Sequence, residues 1–214
     1  MTTIQVGGEA LTLLPQKAAF LAAHRTLLIA DAHIGKAVSF RQLGVPVPRG
    51  TTSETLGGIS RLIDATGAAR IVFLGDFLHS ARSHAAATQA ALARWRERHA
   101  DLDLLLVRGN HDDRAGDPPA SLRFDVVDEP FNLGALALCH HPTPRDGRYV
   151  LAGHLHPCIH VAGRAHDRLR LACFHFDLRV GVLPAFGSFT GMHPVRRMPG
   201  DRVFAVADER VVEL

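Results

Sequence analysis

The chain has 214 residues, of which 47% are hydrophobic and 21% are charged, and its formal net charge is +3. This composition is typical of a globular protein and excludes disordered and fibrous classes. No apolar run approaches the roughly 18 residues of a membrane span. Because the N-terminal segment also lacks the basic start and apolar centre of a signal peptide, we expect a cytoplasmic protein with no membrane partner. The length favours a single domain over residues 1–214.

Cysteine and histidine usage narrows the chemistry. The three cysteines, Cys139, Cys158 and Cys173, form no C-x-x-C pair and are therefore expected to be buried free thiols. The chain also has 14 histidines, and their positions decide whether they reflect a surface bias or a reactive site.

The first half of the chain alternates strand and helix patterns. Residues 1–14 are predicted to form a hairpin, and the apolar run 26–30 to form a buried strand that ends at Asp31. Thr51-x-x-Glu54 is a capping-box pattern and predicts the start of a helix that ends at Gly67. Further along we predict a strand over 71–74, a helix over 84–99 and a strand over 102–107. A β-α-β-α-β order of this kind implies parallel strands.

After residue 122 the helical periodicity ends and short strand-like runs follow. They lie at 123–127, 134–139, 148–152, 168–174, 179–183 and 202–206. An α/β first half followed by a β-rich second half predicts two sheets packed face to face with helices outside.

A short polar motif follows each of five predicted strands. The motifs are Asp31-Ala32-His33, Gly75-Asp76-Phe77-Leu78-His79, Gly109-Asn110-His111-Asp112, Cys139-His140-His141 and Gly153-His154-Leu155-His156. Because ligands gather at the carboxyl ends of strands in α/β sheets, we expect the five motifs to meet in one crevice. One such motif by itself is ordinary turn chemistry, whereas all five in order indicate a site.

The residue types in these motifs indicate metal-dependent phosphate chemistry. Carboxylates, an amide and imidazoles form a mixed oxygen and nitrogen set that suits manganese, iron or zinc. The set is too large for one ion, and two divalent ions about 3.5 to 4 Å apart can clamp an in-line displacement at phosphorus. A hydroxide bridging the ions would attack the phosphodiester, and His111 is placed to protonate the leaving oxygen as a general acid.

The ordered motif set resembles the calcineurin-like metallophosphoesterase superfamily across nearly the whole chain. The resemblance implies an α/β metallophosphoesterase fold in which two mixed sheets form a sandwich flanked by helices. It implies one ion held by Asp31, His33, Asp76 and His156, with Asp76 bridging to a second ion held by Asn110, His140 and His154. It also implies that His111 is the catalytic histidine and that Asp112 orients it.

Two positions differ from the commonest family pattern. Many relatives have an acidic residue at the position of His79, and the G-D-x-x-H form resembles the branch that contains DNA-repair nucleases. The histidine of the fourth motif is usually followed by glycine, whereas His140 is followed by His141. We prefer His140 as the ligand because it comes first after the strand, and keep His141 as the alternative.

Further segments resemble the bacterial ligase-associated DNA damage response endonuclease family. They lie at 31–36, 45–50, 153–157 and 183–191. This resemblance implies a manganese-dependent phosphodiesterase and DNA endonuclease that works with a DNA ligase, an exonuclease and a helicase. For residues 183–191 we expect a tight turn that buttresses the site rather than contact with the substrate.

Contacts with substrate are less clearly marked than the motifs. Lys36 and Arg114 lie closest to the motifs and are expected to contact phosphate, while no aromatic-rich platform for stacking bases is visible.

One alternative function is hydrolysis of a phosphomonoester or of a nucleotide or lipid-linked pyrophosphate. A second is a non-catalytic scaffold, which should lack ligands, whereas every expected ligand position is filled.

Overall fold

The computed structural model describes residues 1–47, 50–162 and 168–214. Pro48, which belongs to the 45–50 segment of the resemblance, lies outside these ranges. The strands found in the described residues are Thr2–Val6 (β1), Glu9–Leu14 (β2), Ala18–Leu21 (β3), Thr26–Ile29 (β4), Arg70–Leu74 (β5), Asp103–Val107 (β6), Phe124–Val127 (β7), Phe131–Leu133 (β8), Leu136–Leu138 (β9), Tyr149–Ala152 (β10), Pro157–Ala162 (β11), Arg168–Phe176 (β12), Val180–Val182 (β13), His193–Pro194 (β14), Arg202–Ala207 (β15) and Arg210–Glu213 (β16). The α-helices in the same ranges are Lys36–Gln42 (α1), Thr51–Thr66 (α2), Ala86–Arg98 (α3) and Asn110–Ala115 (α4).

These strands form two mixed sheets. The first has the order β1-β2-β3-β4-β5-β6-β7, and the second has the order β14-β11-β12-β13-β10-β9-β8, with β15 paired to β12 and β16 paired to β15. The predicted hairpin is confirmed, because β1 and β2 are antiparallel neighbours. The predicted parallel strands are also confirmed, since β4, β5 and β6 pair in parallel and β7 extends the same set.

The two sheets pack face to face, and the helices cover the first sheet. Along β4, Leu27 and Ile29 face the helices, whereas Leu28 faces the second sheet, because successive side chains of a strand point to opposite faces. The helix residues in these apolar clusters, among them Leu56 and Trp95, all pack with the first sheet. The predicted α/β fold class with two mixed sheets is therefore confirmed.

The start of α2 differs from the prediction. Gly50, with a φ of 94°, caps the helix, and the side chain of Thr51 makes no capping hydrogen bond. The capping-box interpretation is wrong because Thr51 is already the first helical residue, and the amide of Glu54 donates to the carbonyl oxygen of Gly50 at 2.9 Å. The predicted end is confirmed, since Gly67 has a φ of 64° and ends the helix.

Two expectations about the whole chain can be compared with the structure. All three cysteines are buried and free, as predicted. In the described ranges we find no helix with the length and apolar character needed to cross a membrane.

Candidate metal centre

The five polar motifs follow strands whose carboxyl ends lie close together. Asp31, Asp76 and Asn110 come after the parallel strands β4, β5 and β6, while His140 and His154 follow β9 and β10 of the second sheet. The backbones of the first two motifs are tied directly, because the amide of Asp31 donates to the Gly75 carbonyl oxygen and the amide of His33 to that of Asp76. The motifs from both sheets thus form one site.

Three side chains form the first ligand group: Asp31, His33 and His156. The Nε2 atom of His156 lies 3.4 Å from Asp31 Oδ1 and 3.4 Å from His33 Nε2. Asp76 adjoins this group, because its Oδ2 atom lies 3.9 Å from His33 Nε2. The four residues expected around one ion are therefore brought together.

A second ligand group lies on the other side of Asp76. The Nε2 atom of His140 is 3.6 Å from Asp76 Oδ1, 3.0 Å from Asn110 Oδ1 and 3.0 Å from His154 Nδ1. The two carboxylate oxygens of Asp76 thus face different groups, with Oδ2 toward His33 and Oδ1 toward His140.

The backbone at these ligands adopts an unusual conformation. In the ranges that the structure describes, ten non-glycine residues have a positive φ, and five of them are expected ligands: Asp31, His33, Asp76, His154 and His156. Residues with a Cβ atom rarely occupy this region, and such strain concentrates at functional sites.

Glycines in two motifs allow close approach between neighbouring strands. A Cβ atom on Gly109 would lie 2.4 Å from Asp76 Oδ1, and one on Gly153 would lie 2.5 Å from Asp31 Oδ2. Glycine is therefore required in both motifs because a carboxylate from another motif fills the space beside it.

The donor set fits divalent cations. His140 and His156 each donate from Nδ1 to a carbonyl oxygen, of Leu74 and Gly191 respectively, which leaves the Nε2 lone pairs directed into the site. The lone pair of His140 therefore faces Asn110 Oδ1, another acceptor, at 3.0 Å. Asp31 Oδ1 is buried and has no hydrogen-bond partner. A cation between buried acceptors that face one another would stabilise them.

Burial keeps most of these imidazoles unprotonated, as metal binding requires. It lowers the pKa of His33 to about 2, with the charge of Lys36 acting in the same direction, and it also lowers the pKa of His140 and of His154. For His156 the effect of burial is outweighed by the neighbouring carboxylate of Asp31, which raises the pKa of His156 above its usual value. A cation would replace the proton at that position.

His111 and Asp112 occupy the start of α4, beside Asp76. The Nε2 atom of His111 lies 4.0 Å from Asp76 Oδ2, and its Nδ1 atom donates to the backbone carbonyl oxygen of His79 at 2.9 Å. Asp112 instead accepts the backbone amides of Phe77, Leu78 and Gly109. The expectation that Asp112 orients His111 is therefore corrected: the His79 carbonyl makes that contact, and Asp112 ties the second motif to the third.

The imidazole of His79 also borders the site. It stacks on the ring of His111 at a centroid distance of 5.1 Å and contacts the edge of His33 at 5.4 Å. Burial lowers its pKa to about 4, with Lys36 acting in the same direction. His79 thus supports His111 both through its backbone and through its ring.

The fourth motif presents its two histidines differently. His140 is fully buried, whereas His141 is partly exposed and its Nδ1 atom lies 3.2 Å from Glu129 Oε1. The other oxygen of Glu129 accepts the backbone amides of both histidines. Glu129 positions this motif, and no pattern in the sequence marks it, because it stands alone before Pro130.

The two residues expected to contact phosphate differ in their surroundings. Lys36 begins α1 and lines a cleft with His33, and its Nζ atom lies 5.8 Å from the Phe40 ring centroid. Arg114 is exposed on α4, and no contact with the site is found for it among the described residues.

The two packed sheets, with groups of candidate metal ligands on either side of Asp76, form the arrangement expected for the metallophosphoesterase fold. Over 100% of this chain and 99% of the other, the structure is similar to that of the Pseudomonas putida nuclease MPE, with 44% identity and a TM-score of 0.88. The chain therefore belongs to the family of that nuclease. A phosphoesterase from E. coli, Yfce, is 13% identical over 88% of this chain and 97% of its own, with a TM-score of 0.42. No family model and no curated protein matches the chain.

Proposed function

We propose that this protein is a dinuclear-metal phosphodiesterase that cleaves DNA internally. The observation that carries the proposal is Asp76, whose two oxygens face separate ligand groups. We assign Asp31, His33 and His156 to one ion and Asn110, His140 and His154 to the other, with Asp76 shared. Manganese suits this donor set, and iron or zinc would also fit.

The metals and the protein divide the chemistry. Two bound divalent ions supply positive charge for the attacking and the leaving oxygen of a displacement at phosphorus. His111 supplies the proton: with Nδ1 fixed on the His79 carbonyl, its Nε2 atom is the one directed at the site and delivers a proton to the leaving oxygen. His79 positions His111, and Lys36 contacts a phosphate near His33.

The shape of the site supports a polymeric substrate. The clefts that contain His33 and His156 have volumes of about 20 and about 200 Å³. Pockets that enclose a small molecule are usually about 300–1,000 Å³. The relative that is described as a nuclease supports the same choice.

Two experiments test this proposal. The manganese-loaded protein should cut circular single-stranded DNA, on which only an endonuclease can act. Intact circles from a protein that still hydrolyses bis-p-nitrophenyl phosphate would contradict the DNA assignment and favour the small-molecule alternative.

His111→Ala should lower turnover while manganese affinity stays the same. An equal loss of metal affinity would contradict the general-acid role, and a wild-type protein that hydrolyses neither substrate would favour the scaffold alternative.

The biological setting is part of the same proposal. We propose a cytoplasmic role in DNA repair, together with a DNA ligase, an exonuclease and a helicase. Its support is the resemblance of segments 31–36, 45–50, 153–157 and 183–191 to the ligase-associated family. Co-purification of this protein with such a ligase at physiological salt is the direct test.

A further inference from the structure

The segment 184–192, between β13 and β14, is fixed to the metal centre by its backbone. The amides of Phe186 and Gly187 donate to the carbonyl oxygens of Ala30 and Asp31 at 2.8 and 3.1 Å. From the other side, His156 donates from Nδ1 to the carbonyl oxygen of Gly191 at 2.9 Å. The segment therefore buttresses two expected ligands, Asp31 and His156, as its sequence suggested.

Within this segment, Phe189 is directed outward. It is 52% exposed, and it is the one exposed residue among the phenylalanines, tyrosine and tryptophan in the described part of the chain. Its backbone has a φ of 59°, a conformation that costs energy for a residue with a Cβ atom. Thr190 helps to hold the turn, because its hydroxyl donates to the Gly187 carbonyl oxygen. A structural role alone would favour glycine or a polar residue at such a position.

Phe189 lies between two clefts that flank the first ligand group. On one side it lines a cleft with His33 and Lys36, and on the other it lines a cleft with His156 and Lys17. The Nζ atom of Lys17 lies 3.5 Å from the Gly187 carbonyl oxygen, so this half-buried cation is held beside the segment. An exposed phenyl ring thus stands between two lysines at the edge of the site.

An apolar ring flanked by cations matches the chemistry of a nucleotide. Nucleobases stack on aromatic side chains irrespective of their sequence, and lysines neutralise the phosphates on either side. Stacking requires a base face that is not already covered by a neighbouring base, as in single-stranded or locally unpaired DNA.

We propose that Phe189 is a stacking platform for a nucleobase next to the phosphate that is cleaved, and that Lys17 and Lys36 contact the flanking phosphates. This inference rests on the proposed nuclease function and adds to it a residue that contacts the base beside the cleaved phosphate.

The test is a cycle of binding measurements that removes the ring and the bases separately. All proteins carry His111→Ala, so that cleavage is slow while manganese is bound. The ligands are a labelled ten-nucleotide thymidine oligomer and an abasic oligomer of equal length and charge. Fluorescence anisotropy gives the dissociation constant of each complex, and gel analysis confirms that the oligomer stays intact.

The ring should matter only when bases are present. With Phe189 intact, the thymidine oligomer should bind about tenfold more tightly than the abasic one, within the range of roughly 5- to 150-fold for stacking one base. Phe189→Ala should bind both oligomers equally, at the abasic level. Phe189→Trp should restore the preference, and its fluorescence should be quenched by the thymidine oligomer and not by the abasic one. Leu178→Ala removes a side chain that is 88% exposed elsewhere and should change neither constant.

Other outcomes overturn the inference in distinguishable ways. If Phe189→Ala binds the thymidine oligomer as tightly as its parent, or loses affinity equally for both oligomers, the ring is not a base platform. If the wild-type protein cuts circular DNA while either result holds, the nuclease function stands and the platform alone is rejected. Failure of the parent to bind the thymidine oligomer, together with intact circles, rejects both proposals.

Discussion

Replacing Gly109 by alanine tests whether the spacing between motifs positions Asp76. The added Cβ atom would lie 2.4 Å from Asp76 Oδ1 and 2.5 Å from the backbone nitrogen of Asp76. Because carbon atoms pack at about 3.5 Å or more, Asp76 must move by about 1 Å. Gly109 has a φ of −108° and a ψ of 169°, which alanine also adopts, so the contact is the whole perturbation.

The expected result is a loss of both metal affinity and stability. Overpacking of this kind costs about 1–3 kcal/mol in free energy of unfolding. Displacing a shared ligand should weaken manganese binding by about 10- to 100-fold, comparable to the loss of a group that orients a ligand. Urea titration of the metal-free protein measures the first quantity, and calorimetric titration with manganese measures the second.

Gly57→Ala is a matched control. Gly57 lies within α2, and its added Cβ atom would be 3.6 Å from Arg61 Nη1, an ordinary contact. This variant should keep its manganese affinity and gain about 0.5–1 kcal/mol of stability from higher helix propensity. Our reasoning about the motif glycines would be refuted if Gly109→Ala bound manganese as tightly as Gly57→Ala.

Three further predictions concern the metal, the thiols and Asp112. Chelation by EDTA should lower the melting temperature, because an ion at 100 times its dissociation constant adds about 2.7 kcal/mol to the free energy of unfolding. Identical melting curves with and without EDTA would contradict a bound ion. At pH 8 the thiols of the folded protein should not react with Ellman's reagent, because all three are buried. Burial also raises the pKa of Cys173 to about 12, so its reactive thiolate form requires a higher pH. All three thiols should react in urea, and rapid labelling of the folded protein would contradict this prediction. Asp112→Asn should lower the free energy of unfolding by about 1–3 kcal/mol, because an amide nitrogen would face a backbone amide; an unchanged urea midpoint would show that these bonds contribute nothing.

Much of the fold is predictable because its elements are either strongly periodic or fully buried. The run 26–30 and the helix over 51–66 are visible in the sequence for these reasons, and both lie close to their predicted bounds. The helix α4 was not predicted, because six residues are too few to show a helical period. The strand β11 is also not predicted, because it begins at Pro157 and its sequence shows no regular alternation of apolar and polar residues.

The site was predictable to a different extent. Candidate metal ligands can be recognised from their residue types and from the order of their motifs, so every expected ligand could be proposed from the sequence alone. Contacts made by the backbone leave no such mark, and the carbonyl oxygens of Leu74, His79 and Gly191 that fix three imidazoles could not be anticipated. Exposure is similarly invisible: Phe186 and Phe189 are alike in sequence, yet one is buried and the other is directed outward.

The expected ligands come from both sheets, and this has a consequence for how the two halves of the chain are held together. Asp31 follows a strand of the first sheet and His156 follows one of the second, so a cation held by both would close a loop of about 125 residues. In a protein whose cysteines are all free, such an ion would act as a reversible cross-link between the two halves. It would favour the docked arrangement of the sheets over any state in which they separate, as a disulfide does in an oxidising compartment.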